Sequence, residues 1–247
     1  MTKVMNRRRV LAATSSMLGC LAVLAGCGDD DSPSAIGSST SGAATAVQDA
    51  FVNVVDRVSP QVVQIQTNEG LGSGIVYDGK GDIVTNAHVA GTSRRFLVTL
   101  DGGQRHTATL VGSDASNDVA VIHLDGATPA PATFADSAGV RSGDIVFAIG
   151  NPLGLQSSVT QGIVSSINRN VREGDGVALK DVIQTSAEIN PGNSGGALIG
   201  LAGEVVGVPT LAALDPEFAD SPAAGIGFAI PSNTVRSVAD RLIASGP

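Results

Sequence analysis

The sequence predicts an all-β fold, and two observations support this prediction. From Pro60 onward, short runs rich in Val and Ile recur and are separated by Gly, Asp and Asn. Many short strands with turns between them are typical of a β-sandwich or a β-barrel. Hydrophobic residues make up 43% of the chain but aromatic residues only 3%, so the core must be built from Val, Ile, Leu and Ala. A chain of 247 residues is long enough for one large domain or two small ones.

The order of the predicted elements follows from composition and turn signals. Asp-Gly pairs at 78–79 and 101–102 favour hairpin turns. A Pro- and Ala-rich stretch, 127–133, is predicted to connect two halves of the fold. A short helix is predicted near 47–57, and a second from 232 to 244, where apolar residues recur near helical spacing. The predicted strands lie at 62–66, 74–77, 96–100, 119–122, 145–149, 161–165, 204–208 and 225–230.

The first 27 residues have the features of an export signal. Lys3 and three consecutive arginines form a basic start, and the apolar stretch 10–25 is too short for a comfortable membrane span. The end of this stretch, Leu-Ala-Gly-Cys, resembles the bacterial lipobox, which implies cleavage before Cys27 and a diacylglycerol on its thiol. A plain secretory signal with a chance cysteine is the alternative. The arginines also resemble a twin-arginine signal, which leaves the export route open.

Charge and cysteine usage exclude two kinds of site. The net charge is -8 and no long basic run lies outside the first ten residues, which argues against a nucleic-acid binder. The two cysteines are Cys20, in the segment predicted to be removed, and Cys27. The mature domain is therefore predicted to contain no disulfide and no metal site built on thiolates.

Three local sequences carry the residue types that nucleophilic hydrolysis needs. They are Thr-Asn-Ala-His-Val around His88, Asn-Asp-Val-Ala-Val around Asp118, and Asn-Pro-Gly-Asn-Ser-Gly-Gly around Ser194. A serine hydroxyl needs an adjacent base, and a neutral imidazole suits neutral pH. A carboxylate must in turn hold the tautomer of that imidazole. We therefore expect Ser194 to be the nucleophile, His88 the general base and Asp118 the residue that orients His88.

The glycines around Ser194 indicate an oxyanion hole. Backbone N–H groups must converge on the negative charge of a tetrahedral intermediate. Glycine lets the backbone turn sharply and approach the substrate closely. We expect the N–H groups of Gly192 and Ser194 to form this hole.

Two other hydrolase arrangements conflict with the order of these residues. Gly-Asn-Ser-Gly-Gly fits the nucleophile elbow of α/β-hydrolases, but that fold needs its histidine after the serine. The histidines His88, His106 and His123 all precede Ser194. The subtilisin order would use Asp78 or Asp82 with His88, but it needs a parallel α/β sheet that the pattern does not predict.

Six stretches contain or accompany these motifs: GLGSGI (70–75), DIVTNAHV (82–89), AIGNPLGL (148–155), VTQGIVS (159–165), QTSAEINPGNSGG (184–196) and GIGFAIP (225–231). Together they resemble the HtrA/DegP family of trypsin-like proteases. The resemblance runs from about Val58 to Ile230, and its motifs place the catalytic histidine, aspartate and serine of the family at His88, Asp118 and Ser194. It implies two six-stranded antiparallel β-barrels with the active site between them, followed by a short C-terminal helix. It also implies cleavage of misfolded proteins in the cell envelope, often by a homotrimer.

The predicted organisation has four parts. Residues 1–26 are a lipoprotein signal peptide, and 27–46 are the lipidated cysteine with a flexible tether. The tether is rich in Ser, Gly, Ala, Thr and Asp and cannot bury enough apolar surface to order itself. Residues 47–130 form the N-terminal barrel, and 131–247 the C-terminal barrel with the terminal helix. The anchor implies a location outside the cytoplasm, in the periplasm or at the cell surface.

The sequence departs from the family in its specificity residues. The resemblance implies a primary specificity pocket that includes Glu188, Ile189, Pro209 and Ile226. Family members more often have alanine at Glu188, and a carboxylate in the pocket would favour cleavage after Lys or Arg instead of small aliphatic residues. The alternative is that Glu188 points to solvent or stabilises a loop. Pro209 removes a backbone donor from the strand expected to pair with substrate.

Two functions follow from this reading. The first is a serine endopeptidase that forms an acyl-enzyme at Ser194 and needs no metal or organic cofactor. The second is a non-catalytic, peptide-binding or chaperone-like lipoprotein of the same fold.

Family members usually carry PDZ domains after the protease domain, and this chain stops where one would begin. Substrate capture through a PDZ domain is therefore expected to be absent or supplied by another protein.

Overall fold

The protein folds as two closed, six-stranded antiparallel barrels flanked by helices. The computed structural model describes residues 37–126, 130–151, 158–173, 177–190, 192–215 and 221–246. The predicted signal peptide and Cys27 lie outside the described residues, as does part of the predicted connection at 127–133. In the described part of the chain, no helix is both long and apolar enough to cross a bilayer.

The first barrel follows the order β1-β2-β3-β6-β5-β4, and the second the order β10-β11-β12-β9-β8-β7. Their strands are β1 (Val62–Gln66), β2 (Leu71–Val76), β3 (Asp82–Thr85), β4 (Arg95–Thr99), β5 (Arg105–Asp114), β6 (Val119–Leu124), β7 (Ile145–Gly150), β8 (Ser158–Glu173), β9 (Val177–Thr185), β10 (Ala197–Gly200), β11 (Val205–Asp215) and β12 (Ser221–Pro231). The helices are α1 (Gly37–Val58), α2 (Ala87–Ala90) and α3 (Ser232–Ser245), with 3-10 turns at Ser59–Gln61, Asp101–Gly103 and Ser137–Gly139.

The all-β, two-barrel prediction is confirmed. Each predicted strand overlaps an observed one, but β3, β5, β9 and β10 are additional. β3 and β10 are only four residues long, and polar residues interrupt β5 and β9. Their apolar runs were therefore too short to be distinguished from loops.

Val, Ile, Leu and Ala fill both barrels, as the composition predicts. Ile65 and Ile122 are fully buried in the first barrel, and Leu198 in the second. A third cluster of buried residues joins the two barrels and receives side chains from α1 and α3. The interface between the barrels is therefore part of the hydrophobic core, which fixes the cleft at its surface.

Helix α1 begins at Gly37, within the segment 27–46 that the sequence predicts to be a flexible tether. Alanines at 43, 44 and 46 favour extension of the predicted helix into this segment, because alanine has the highest helix propensity. Residues 37–42 are Gly, Ser and Thr, which have lower helix propensity, so their composition predicts a tether and not a helix. The C-terminal part of the helix packs on the barrels. Val58 is buried, and the Phe51 ring meets Phe147 of β7 edge-on, with centroids 5.1 Å apart.

Helix α3 is confirmed within one residue of its predicted end, and it packs against both barrels. It contacts β5 and β6 of the first barrel and β11 and β12 of the second. Leu242 covers Gly112, where a Cβ would lie 2.9 Å from the leucine side chain. The Tyr77 hydroxyl donates to Asp240 at 2.5 Å, and Arg241 donates to Asp114. The predicted division after residue 130 therefore separates α3 in sequence from a barrel that it contacts in space.

Candidate active site

His88 lies on the short helix α2, which begins two residues after β3 ends. Asn86 is in the extended conformation and turns the chain between these two elements. Asn86 is itself fixed, because its side-chain Nδ2 donates to the Asp118 carbonyl at 3.0 Å. The His88 side chain is 36% exposed, so its ring is accessible from the cleft while one edge is covered.

Asp118 lies in the turn between β5 and β6 and is only 3% exposed. Its φ of 51° is in the left-handed region, which aspartate tolerates better than most residues. Its carboxylate oxygens lie 2.9 and 3.0 Å from His88 Nδ1, and Oδ1 also accepts the His88 backbone N–H at 2.9 Å. A carboxylate only accepts hydrogen bonds, so Nδ1 carries the proton and a neutral His88 has its lone pair on Nε2.

Thr210 of β11 contacts both Asp118 and Ser194, and the sequence did not predict it as a site residue. Its hydroxyl donates to Asp118 Oδ2 at 2.5 Å. Its backbone carbonyl accepts the Ser194 hydroxyl at 3.2 Å. Thr210 is 3% exposed. Its signal in the sequence is a single polar residue within the apolar run of β11, because a buried polar side chain needs a hydrogen-bond partner. The structure therefore brings Asp118 and Ser194 to the same residue.

The glycines after Ser194 let residues 192–196, the nucleophile loop, pack against both barrels. Gly195 has a φ of 80°, and a Cβ there would lie 2.3 Å from the Ser73 carbonyl oxygen and 2.4 Å from Thr85 Oγ1. A Cβ on Gly196 would lie 2.2 Å from the Ile149 carbonyl oxygen. No larger residue fits at either position without moving backbone. Gly192, predicted for the oxyanion hole, has a φ of 106°, which also requires glycine.

The residues predicted for the specificity pocket differ in their environment. Glu188 is exposed, and its carbonyl accepts hydrogen bonds from Thr160 Oγ1 at 2.8 Å and Asn193 Nδ2 at 3.3 Å. Ile189 is 6% exposed and lies over Gly227, where a Cβ would be 2.3 Å from its side chain. An apolar side chain, and not the carboxylate, therefore covers this part of β12.

Pro209 and Ile226 lie on neighbouring strands of the second barrel. Pro209 is paired with Ala229 of β12, and its carbonyl accepts the Gly195 N–H at 3.0 Å. Pro209 has no backbone N–H to donate, but its carbonyl holds the nucleophile loop through the Gly195 N–H. Ile226 is 37% exposed.

The two carboxylates that a subtilisin-like order would use have partners of their own. Asp82 lies 2.9 Å from His123 Nδ1, and Asp78 accepts the backbone N–H groups of Lys80 and Asp82. Neither is the partner of His88, which excludes the subtilisin-like arrangement. Within the described residues, no group of three or more His, Cys, Asp or Glu side chains is placed to hold a metal ion.

A family of known proteins matches this arrangement. The trypsin-like peptidase domain matches residues 72–208, more than half of the chain and the whole segment from His88 to Ser194. The chain belongs to the trypsin-like peptidases. Within them it is an HtrA-type member, because its relatives include proteins named Do-like HtrA and HtrB, DegQ and DegS, and the solved structures that it resembles are titled HtrA-type proteases.

Three comparisons define this relationship. The chain is 43% identical over 182 residues to the serine protease Do-like HtrB of Bacillus subtilis, covering 70% of this chain and 39% of that protein. It is 43% identical over 185 residues to the periplasmic pH-dependent serine endoprotease DegQ of Escherichia coli, covering 73% and 41%. The solved HtrA-type protease AlgW with tripeptide superimposes with a TM-score of 0.71 at 38% identity, covering 79% of this chain and 64% of that one. The chain therefore spans about two fifths of the length of these curated relatives.

Proposed function

We propose that this trypsin-like peptidase is a serine endopeptidase that forms an acyl-enzyme at Ser194. The observation that carries the proposal is that one residue, Thr210, contacts both Asp118 and Ser194. Asp118 holds His88 Nδ1 and accepts the Thr210 hydroxyl, and the Thr210 backbone carbonyl accepts the Ser194 hydroxyl. These contacts place an oriented histidine and the serine hydroxyl beside the same residue, which supports their proposed roles as base and nucleophile.

In the proposed reaction, the Ser194 hydroxyl turns from the Thr210 carbonyl towards His88 Nε2. His88 removes the proton as Ser194 Oγ attacks the scissile carbonyl, and Asp118 stabilises the imidazolium. The N–H groups of Gly192 and Ser194 bind the oxyanion. The imidazolium then protonates the leaving amine, which gives the acyl-enzyme. Water, deprotonated by His88, hydrolyses the ester and regenerates the Ser194 hydroxyl.

The proposed substrates are unfolded or misfolded proteins, cleaved after small aliphatic residues. The names of the relatives, which include serine protease and serine endoprotease, support protein substrates. The burial of Ile189 over Gly227 and the exposure of Glu188 support an apolar pocket. A carboxylate buried in the pocket would need a cationic substrate side chain as its partner. The exposed Glu188 carboxylate is solvated and does not require Lys or Arg in the substrate.

We also propose that the protein is exported and anchored by a lipid on Cys27, which places the peptidase outside the cytoplasm. The lipobox-like sequence supports the anchor, and the periplasmic location named for DegQ supports export. Expression of the full chain in a bacterium, followed by mass spectrometry of its N-terminal peptide, tests this proposal. A diacylglycerol on Cys27 is expected, and a free or absent Cys27 in the mature protein contradicts the anchor.

A homotrimer remains a prediction from the family resemblance. Light scattering on the soluble domain tests it, and a mass three times that of one chain is the expected result. A monomer mass at the concentrations that support activity contradicts it.

Casein digestion tests the peptidase directly. The domain that begins after Cys27 is expected to degrade unfolded casein and leave fragments that end in small aliphatic residues. Ser194→Ala is expected to abolish these fragments. Ser186→Ala is the matched control, because Ser186 is a nearby serine whose hydroxyl accepts the Ile163 N–H at 3.0 Å. Casein that stays intact, or fragments that persist with Ser194→Ala, would contradict the proposal.

A further inference from the structure

Ser73 lies in β2 of the first barrel and is completely buried, yet it contacts the nucleophile loop of the second barrel. Its backbone N–H donates to the Ser194 carbonyl at 2.9 Å. Its hydroxyl donates to the Gly192 carbonyl at 2.5 Å. One residue therefore holds the carbonyl groups of both residues that are proposed to form the oxyanion hole.

The Ser73 hydroxyl has no freedom to turn away from Gly192. Its oxygen accepts the Asn151 backbone N–H at 2.8 Å, and the Ser73 carbonyl accepts Thr85 Oγ1 at 2.7 Å. A hydroxyl has one proton, and with Asn151 occupying a lone pair that proton is directed at the Gly192 carbonyl. The bond is also shielded from water, which increases its strength relative to an exposed one.

These bonds fix consecutive peptide planes of the nucleophile loop. The plane between Gly192 and Asn193 is held at both edges, by Ser73 Oγ and by the Asn190 carbonyl, which accepts the Asn193 N–H at 3.1 Å. The next plane is held by the Gly196 N–H, which donates to the Asn193 carbonyl at 3.0 Å. This second plane contains the Asn193 carbonyl and the Ser194 N–H. The hydrogen bond to the Asn193 carbonyl therefore sets the direction of the Ser194 N–H.

Gly192 joins the plane that Ser73 holds to the plane that carries the Gly192 N–H. Glycine allows many φ/ψ combinations, so a Gly192 carbonyl released from Ser73 could turn and carry the Gly192 N–H with it. We propose that Ser73 is a positioning residue for the oxyanion hole, which acts by holding the Gly192 carbonyl so that the Gly192 N–H points into the cleft. This inference rests on the proposed peptidase function. Ser73 acts through the carbonyls of Gly192 and Ser194, so its proposed role is positioning and not catalytic.

Ser73→Ala removes the hydroxyl and tests the inference. In casein or peptide hydrolysis, we expect kcat to fall about 10- to 100-fold with KM changed less than about threefold, because a misplaced donor acts on the transition state. Ser232→Ala is the matched control, since Ser232 is also fully buried and its hydroxyl donates to the Ala135 carbonyl at 2.8 Å. It is expected to lower thermal stability while kcat stays within about threefold of the parent. Ser73→Cys, which fills the space with a weaker donor, is expected to have an intermediate kcat.

Amide hydrogen exchange separates this inference from the proposed function. In Ser73→Ala we expect faster exchange for the amides of residues 192–196, and no such change in Ser232→Ala. Unchanged exchange in this loop overturns the inference, whether or not the protein is a peptidase. An active parent with an unchanged kcat in Ser73→Ala also overturns it. A parent that does not cleave in a Ser194-dependent way contradicts the proposed function alone, and the exchange result still decides the role of Ser73.

Discussion

The Thr210 hydroxyl donates a hydrogen bond to the Asp118 carboxylate at 2.5 Å. Thr210 belongs to β11 of the second barrel, and Asp118 precedes β6 of the first. The orientation of His88, which Asp118 holds, therefore depends on how the two barrels pack together. The shared hydrophobic cluster between the barrels keeps this distance fixed.

Thr210→Val removes the hydroxyl while it keeps the shape of the side chain and the carbonyl that accepts from Ser194. We expect kcat/KM for casein or a peptide to fall about 10-fold, because Asp118 loses a buried partner and holds His88 less firmly. Thr107→Val is the matched control. Thr107 is also a strand threonine, and its hydroxyl donates to the Asp125 carboxylate at 2.9 Å, outside the candidate active site. Equal effects of the two substitutions would contradict a specific role for Thr210.

Asp118→Asn replaces a carboxylate that accepts from His88 and Thr210 with an amide that has one acceptor. We expect kcat to fall by about 10³- to 10⁴-fold, because the amide favours the wrong tautomer of His88. Asp82→Asn provides a matched control in the same barrel, since Asp82 is also buried and lies 2.9 Å from His123 Nδ1. That variant is expected to lose stability but keep kcat. An Asp118→Asn protein with more than about a tenth of the parent kcat would exclude the proposed triad.

The contact between α3 and the first barrel is predicted to be acid-sensitive. Burial raises the pKa of Asp114, but hydrogen bonds from Ser116, Asn117 and Arg241 outweigh burial and hold that pKa well below its ordinary value. A lowered pKa in the folded state stabilises the protein above the unfolded pKa of about 4, and this contribution is lost as the pH falls further.

Asp114→Asn should therefore lower the free energy of unfolding by about 1–2 kcal/mol at pH 7, and the difference from the parent should shrink below about pH 4. Melting temperatures at pH 7, 5 and 3 measure this. Asp144→Asn, which removes an exposed pair with Arg141, serves as the control and should have a smaller effect at pH 7. A difference that grows on acidification would refute the assignment.

Cleavage specificity is predicted to follow Ile189 and not Glu188. Ile189→Ala opens space over Gly227, so larger side chains should be accepted at the cut. Glu188→Ala should leave the fragment ends of casein unchanged, because the Glu188 side chain is exposed. Mass spectrometry of the fragments measures both effects. If Glu188→Ala loses cleavage after Lys or Arg, the Glu188 carboxylate determines specificity and this prediction is wrong.

The sequence predicted the parts of this account that depend on local patterns. Val- and Ile-rich runs located most strands, and the order of His88, Asp118 and Ser194 excluded other hydrolase arrangements. Thr210 and Ser73 were missed because each acts on a residue far away in the chain, across the interface between the barrels. No periodicity in the sequence reports such a contact. The packing of α3 on the first barrel was missed for the same reason.

Covalent labelling tests whether Ser194 is a nucleophile that His88 activates. A fluorophosphonate probe reacts with an activated serine oxygen and releases fluoride, so peptide mapping by mass spectrometry locates the reactive residue. We expect the adduct on Ser194 alone, no adduct in Ser194→Ala, and labelling slowed at least about 100-fold in His88→Ala. An adduct on another residue, or labelling of His88→Ala at the parent rate, would contradict the account.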